Sequence, residues 1–285
     1  MTRKIGLPLF CALLAAWVAG MLVLAAPLMA QRAPNSLFRR APVPGGEATI
    51  LVPEGWVLEA DSTAGIVLRL RTADGQVALE RFADRIGPRS DGPAPAARSF
   101  LADVVAREAR AGARNLALVD QRSLPELSRA WERRPAGTGG GAGVVGEAAA
   151  VTLEYELDGT PRVERLCGVV ESGPDGWAGR AIFGARTPAG EFERWEPWLS
   201  FALASCEPAV ALGADVARNA LGLSLPGESL WRNPHSGALD PGSFHFGRYR
   251  WVTPDGDVIY SFNETFTPNA GRLLGRDDWS KSLPR

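Results

Sequence analysis

The sequence predicts an α+β fold with an antiparallel sheet, and three observations carry that reading. Residues 148–157, 163–171 and 177–186 are extended segments separated by Asp158-Gly159 and by Gly173-Pro174-Asp175-Gly176, the spacing of a meander. Ile66, Leu68 and Leu70 alternate with Val67, Arg69 and Arg71 ahead of Ala73-Asp74-Gly75 and an apolar return at 76–82, which is a hairpin. Two stretches repeat their apolar residues at helical spacing: Phe100, Leu101, Val104 and Val105, then Phe192, Trp195, Trp198, Leu199, Ala202 and Leu203.

Taken in order, residues 5–30 come first: 26 positions without a charge behind Arg3 and Lys4. A signal-peptide core usually runs about 7–15 residues, whereas a spanning helix needs roughly 20, so the stretch predicts a transmembrane signal anchor. Cleavage before Gln31 is disfavoured by Leu28 and Pro27. The expected location is a single pass of a bacterial inner membrane with the body in the periplasm, although Arg32, Arg39 and Arg40 pull against that orientation. Residues 31–46, with Pro34, Pro42, Pro44 and Gly45-Gly46, read as a linker.

The folded body is expected from Glu47, with a strand at 48–52 closed by Pro53-Glu54-Gly55 and followed by Trp56 and the hairpin. A Pro- and Gly-rich loop at 87–95 leads into a helix from about Ala96 to Ala111-Gly112, where glycine suits the cap. Residues 115–121 and 130–134 look extended, and 137–143 form a glycine-rich loop without the lysine and following helix of a phosphate cradle. After the meander, 188–206 is an amphipathic helix in which Pro197 removes one backbone donor. A composition shift then sets off residues 208–285, which hold both histidines, two of the three tyrosines and three of the nine tryptophans. Here 209–221 suggests a short helix, and 248–253 and 257–261 flank Pro254-Asp255-Gly256 as a hairpin.

The order Val52-Pro53-Glu54-Gly55-Trp56, hairpin, helix after a Pro-rich loop, strand, meander and closing aromatic helix ending in Leu199-Ser200-Phe201 resembles the PsbP-like fold. That fold is shared by photosystem II extrinsic proteins and bacterial envelope lipoproteins of the DcrB type. The resemblance covers about 47–207. It implies an antiparallel sheet sandwiched by helices and a non-enzymatic protein that binds partners in membrane assemblies, and it carries over no metal or partner residues. The expected organisation is therefore an anchor at 1–30, a linker at 31–46, a PsbP-like domain at 47–207 and an aromatic hairpin module at 208–285.

Composition narrows function. A formal net charge of −1 leaves no cationic field for nucleic acid, and only Lys4 and Lys281 are lysines. No His or Cys pair has ligand spacing, so neither metal nor cofactor is expected, and no glycine-flanked serine marks a nucleophile elbow. Cys167 and Cys206 are the cysteines outside the apolar segment, and in an exported body they invite a disulfide, the alternative being two buried thiols. Tyr249, Trp251 and Tyr260 suggest one aromatic face, either docked on the main domain or open to another subunit. Two function classes follow: a membrane-tethered, non-catalytic accessory or assembly subunit that binds a membrane protein complex and the bilayer through 5–30, and an envelope ligand-binding protein or hydrolase with a cleft around His235, His245, Asp240 and Trp251.

Overall fold

A computed structural model describes residues 35–45, 48–87, 93–106, 110–133, 145–173, 176–206 and 217–285. In chain order the strands are β1 (Ser36–Pro42), β2 (Thr49–Pro53), β3 (Trp56–Asp61), β4 (Ile66–Thr72), β5 (Ala78–Phe82) and β6 (Arg85–Gly87). Helix α1 begins as an α turn over Ala97–Ser99 and continues as a π-helix over Phe100–Val105, so that buried residues recur at 97, 100–102 and 105. Then come β7 (Arg114–Ser123), α2 (Pro125–Glu132), β8 (Val145–Leu157), β9 (Thr160–Gly173), β10 (Gly176–Pro188) and α3 (Phe192–Ala204). The chain closes with β11 (Glu228–Arg232), β12 (Leu239–Ser243), β13 (Tyr249–Val252), β14 (Val258–Ser261) and β15 (Ser280–Pro284).

These strands make two antiparallel sheets. The larger runs β3-β4-β5-β10-β9-β8-β7 with β6 added beside β10, and the smaller runs β12-β11-β15-β13-β14-β1-β2. Strands account for 49 % of the described residues and helix for 17 %, so the fold is β-rich with two curled sheets, which corrects the helix-sandwiched α+β class. The meander is β8, β9 and β10, and positive φ at both Asp158 and Gly159 gives its first turn the twist a two-residue hairpin needs.

Two local expectations change. Residues 130–134, expected as extended, fall largely in α2, where Pro125 occupies the first turn and Leu127 and Trp131, four apart, are buried. The 188–206 helix was expected to show one apolar side. Instead α3 lies between the sheets: Leu199, Ala202 and Leu203 pack with Leu68, Leu70, Phe183 and Ala185 of the large sheet, while Phe201 packs with Phe38, Val258 and Tyr260 of the small one. A helix between two apolar layers is buried nearly all round, and Pro197 to Leu203 is buried at every position except Trp198.

Part of the expected linker is core. Residues 36–42 form β1, held between β14 (Leu37 opposite Ile259) and β2 (Phe38 opposite Pro53). Phe38 is fully buried, with the rings of Trp198, Phe201, Phe246 and Tyr260 within 4.8–6.0 Å. The Arg40 amide donates to Asp257 Oδ1 at 2.9 Å, tying β1 to the β13–β14 turn. The sheet that holds the C-terminal hairpin is thus completed by residues 36–53, and Val52-Pro53-Glu54-Gly55-Trp56 is the crossing from β2 in one sheet to β3 in the other.

The membrane segment expected at 5–30 and the glycine-rich loop at 137–143 lie outside the described residues. Among the described residues no helix is long and apolar enough to cross a membrane, the longest being the 13 residues of α3. The anchored, single-pass inner-membrane and periplasmic location is accordingly withdrawn.

Candidate functional site

Strand alternation divides the three residues expected to share one aromatic face. Tyr260 stands opposite Arg250, whereas Trp251 stands opposite Ile259 and Lys281. Directly opposed residues share a face, so Tyr260 and Arg250 point toward α3 and the large sheet, while Tyr249 and Trp251 point outward. Tyr260 is fully buried, and burial pushes its phenol up to about 12.

The outward face has two halves. Over one half, Leu37, Ile259 and Trp251 are covered by Phe266, Leu273 and Trp279 from the β14–β15 connection. On the other half, Leu230 of β11, Leu239 of β12 and Leu283 of β15 are 46 %, 36 % and 65 % exposed. Register places Leu239 and Leu283 on either side of Arg232, so the three leucines line one face of three adjacent strands. The Lys281 ammonium joins this patch to the aromatics, 4.7 Å from the Tyr249 ring and 5.9 Å from that of Trp251. Exposed Arg232 and Arg285 make its surroundings basic. At the edge, Pro241 in β12 removes a backbone donor and discourages pairing with a further strand, which leaves the face as the contact surface.

The residues of the alternative cleft are not gathered at one place. Asp240 is engaged inside the sheet, accepting from Arg250 Nη2 at 3.0 Å and from Asn233 Nδ2 at 3.1 Å, and Arg250 Nη1 donates to Ser282 at 3.0 Å. His235 Nε2 lies 3.1 Å from the Val252 carbonyl. His245 instead lines a cavity of about 500 Å³ with Asn35, Ser36, Glu54, Trp198 and Phe262, and burial lowers its imidazole below the ordinary value. Among the described residues no group of three or more His, Cys, Asp and Glu side chains is arranged to hold a metal.

A buried ionic network on the α1 face of the large sheet was not anticipated. Arg110, which follows α1, donates through Nη2 to Glu164 Oε1 at 2.8 Å and to Glu80, and through Nε to Glu164 Oε2 and Tyr155 Oη at 3.2 Å. The Tyr155 hydroxyl donates to Glu164 at 2.6 Å, and Arg69 Nε donates to Glu80 at 2.7 Å. Burial would raise the Glu164 carboxyl, but the charges of Arg110 and Arg186 and the hydrogen bonds from Tyr155 and Arg110 hold it below its ordinary value. The only signal in the sequence was charge alternating with apolar residues along β4, which reads as a solvated face until another element covers it.

Cys167 and Cys206 are thiols of one apolar cluster, and the expected disulfide is not formed. Burial pushes the Cys167 thiol up to about 12, and with less than one part in a thousand as thiolate at neutral pH it is a packing residue. A thiol-reactive chromophore at pH 8 is expected to leave Cys167 unmodified in native protein and to label it within minutes in denaturant. Rapid native labelling at Cys167, located by peptide mapping, would contradict its burial.

No protein-family model matches the chain, and no curated protein matches its sequence.

Proposed function

We propose that this chain is a non-catalytic binding protein, an accessory or assembly subunit whose partner-binding surface is the bare half of the small sheet's outer face. The observation that carries the reading is the line of Leu239, Leu230 and Leu283 across three adjacent strands, continued by Tyr249 under Lys281. The chain spends Phe266, Leu273 and Trp279 on covering the neighbouring half of the same face and leaves this half exposed. Contiguous apolar surface on a folded domain is costly to keep and is characteristic of contact sites. Arg232, Lys281 and Arg285 favour a protein surface that presents apolar side chains rimmed by carboxylates.

The test is co-purification of tagged full-length protein, followed by the same experiment with Leu283→Glu. That substitution places a carboxylate in the centre of the patch, so specific recovery of a partner is expected to fall at least tenfold. The thermal midpoint should stay within about 2 °C of wild type, because an exposed substitution of this kind usually changes stability by less than about 0.5 kcal/mol. Undiminished recovery would remove the patch from consideration.

A second reading rests on the cavity beside His245. Trp198, Phe246 and Phe262 give it apolar walls and Glu54 a polar one, the composition of a small-molecule pocket. Ligand binding there would be lost on His245→Ala or Trp198→Ala and unaffected by Leu283→Glu.

A further inference from the structure

At the end of the large sheet, next to the β4–β5 turn, Arg162 of β9 and Arg186 of β10 are only 4 % and 7 % exposed. Arg162 stands opposite Tyr155 and Arg186 opposite Glu164, which puts both on the α1 face, two positions apart along the strands. Among the described residues their only hydrogen-bond partners are turn carbonyls: Arg162 Nη1 donates to Gln76 O at 3.0 Å and Arg186 Nη2 to Gly75 O at 3.4 Å. The Nε–H of each guanidinium is buried without a partner. The carboxylates of this face are already committed. Glu164 takes Arg110 on both oxygens and the Tyr155 hydroxyl, Glu80 takes Arg69 and Arg110, and Glu59 takes Arg71 through a two-point contact at 2.8 and 3.1 Å. Nearby Asp74 accepts from the Thr72 hydroxyl at 2.6 Å and the Gln76 amide at 3.0 Å, and it pairs directly with neither arginine.

Two adjacent guanidiniums, held in place by a backbone turn and hydrogen-bonded to no carboxylate among the described residues, are an arrangement that ordinary folding does not favour. Like charges this close repel, and the carboxylates that act on them, Glu164 on Arg186 and Asp74 and Asp158 on Arg162, do so through space and without a hydrogen bond. Arg162 is also held below its ordinary value, first by burial and then by the charge of Arg186. What such a pair suits is a small anion with two or more oxygens, because the Nε–H and Nη–H edges form forks that match carboxylate and phosphate geometry. Nη2 of Arg162 and Nη1 of Arg186 make no hydrogen bond among the described residues and are not among the buried unpartnered atoms, so each guanidinium keeps one Nη that solvent reaches beside its enclosed Nε.

We propose that Arg162 and Arg186 form an oxyanion-binding site beside the Asp74–Gln76 turn, taking a phosphate or carboxylate group. This site lies on the large sheet and does not depend on the partner surface of the small one.

The experiment is calorimetric titration of the full-length protein with sodium phosphate and, separately, with sodium acetate, each at constant ionic strength made up with chloride. One saturable site per chain is expected for at least one of them, weakened tenfold or more by Arg186→Gln and by Arg162→Gln. Arg186→Lys, which keeps the charge and loses the fork, should weaken it as well. Saturation by phosphate alone identifies a phosphate group as the ligand chemistry, and saturation by acetate alone a carboxylate. A measurement on wild-type protein stands whether or not the variants fold: a hundredfold excess of the bound anion over its Kd should raise the thermal midpoint by about 5 °C relative to chloride. Absence of both saturable heat and this shift in wild type, or undiminished affinity in both glutamine variants, overturns the proposal.

Discussion

Arg110→Met is expected to destabilise the protein by about 3–5 kcal/mol, enough to remove a large part of the roughly 5–15 kcal/mol that holds a typical domain folded. The reason is the company Arg110 keeps. It is the cation shared by Glu80 and Glu164, whose side chains are 1 % and 0 % exposed, and among the described residues no other arginine donates to Glu164. Methionine fills a similar volume and leaves a buried carboxylate with only the Tyr155 hydroxyl and the more distant charge of Arg186. Urea denaturation at pH 7 provides the measurement, and a loss under about 1 kcal/mol would mean that the network is solvated. Acid supplies an independent check. Because the Glu164 carboxyl is held below its ordinary 4.5, its contribution is fully present above that value and is lost as pH falls through the folded one. In the variant the attraction that depressed Glu164 is gone, so its pKa should rise. Stability should then fall with pH over a higher range than in wild type, or reverse slope if the carboxyl folds in its neutral form.

Phe38→Ala is expected to cost about 3–5 kcal/mol, the range for deleting a buried phenyl ring. Phe38 is where the strands β1 and β2, α3 and the C-terminal hairpin meet: its ring contacts Phe201 at 4.8 Å edge-on and Phe246 at 5.1 Å, with Trp198 and Tyr260 beyond. Large neighbours on separate elements cannot all collapse into the space, so the upper part of the range is expected. The change should lower the denaturation midpoint without altering its slope, since the same surface is exposed on unfolding. A loss below about 0.5 kcal/mol would mean that residues 36–42 behave as the tether their composition suggests, and β1 would have to be withdrawn from the sheet.

How much of this was legible in the sequence follows from the range of the forces involved. Alternation and turn chemistry act over a few residues, so the hairpin through Gly75, the meander through Asp158-Gly159 and the hairpin through Pro254-Asp255-Gly256 could all be read locally. The extended reading of residues 130–134 fails for a reason of the same local kind, because Pro125 and the Leu127–Trp131 spacing mark a helix over 125–132. The Tyr249 and Trp251 side chains were correctly paired on one face, but Tyr260 was misplaced because cross-strand register, not proximity in a hairpin, decides which face a residue takes.

By itself the sequence determined the hairpins and the meander, the near-neutral net charge, and the aromatic weight of the tail. Only the tertiary structure decided that residues 36–42 join strand 258–261 across more than two hundred positions, that α3 is buried between two sheets, and that Arg69, Glu80, Arg110 and Glu164 form a covered network. A proline-rich stretch costs little to hold in an extended form, and it becomes a strand when a distant partner supplies its hydrogen bonds. A charged strand face becomes core when a helix covers it and each carboxylate finds its arginine. Both outcomes depend on contacts whose sequence separation exceeds any local pattern.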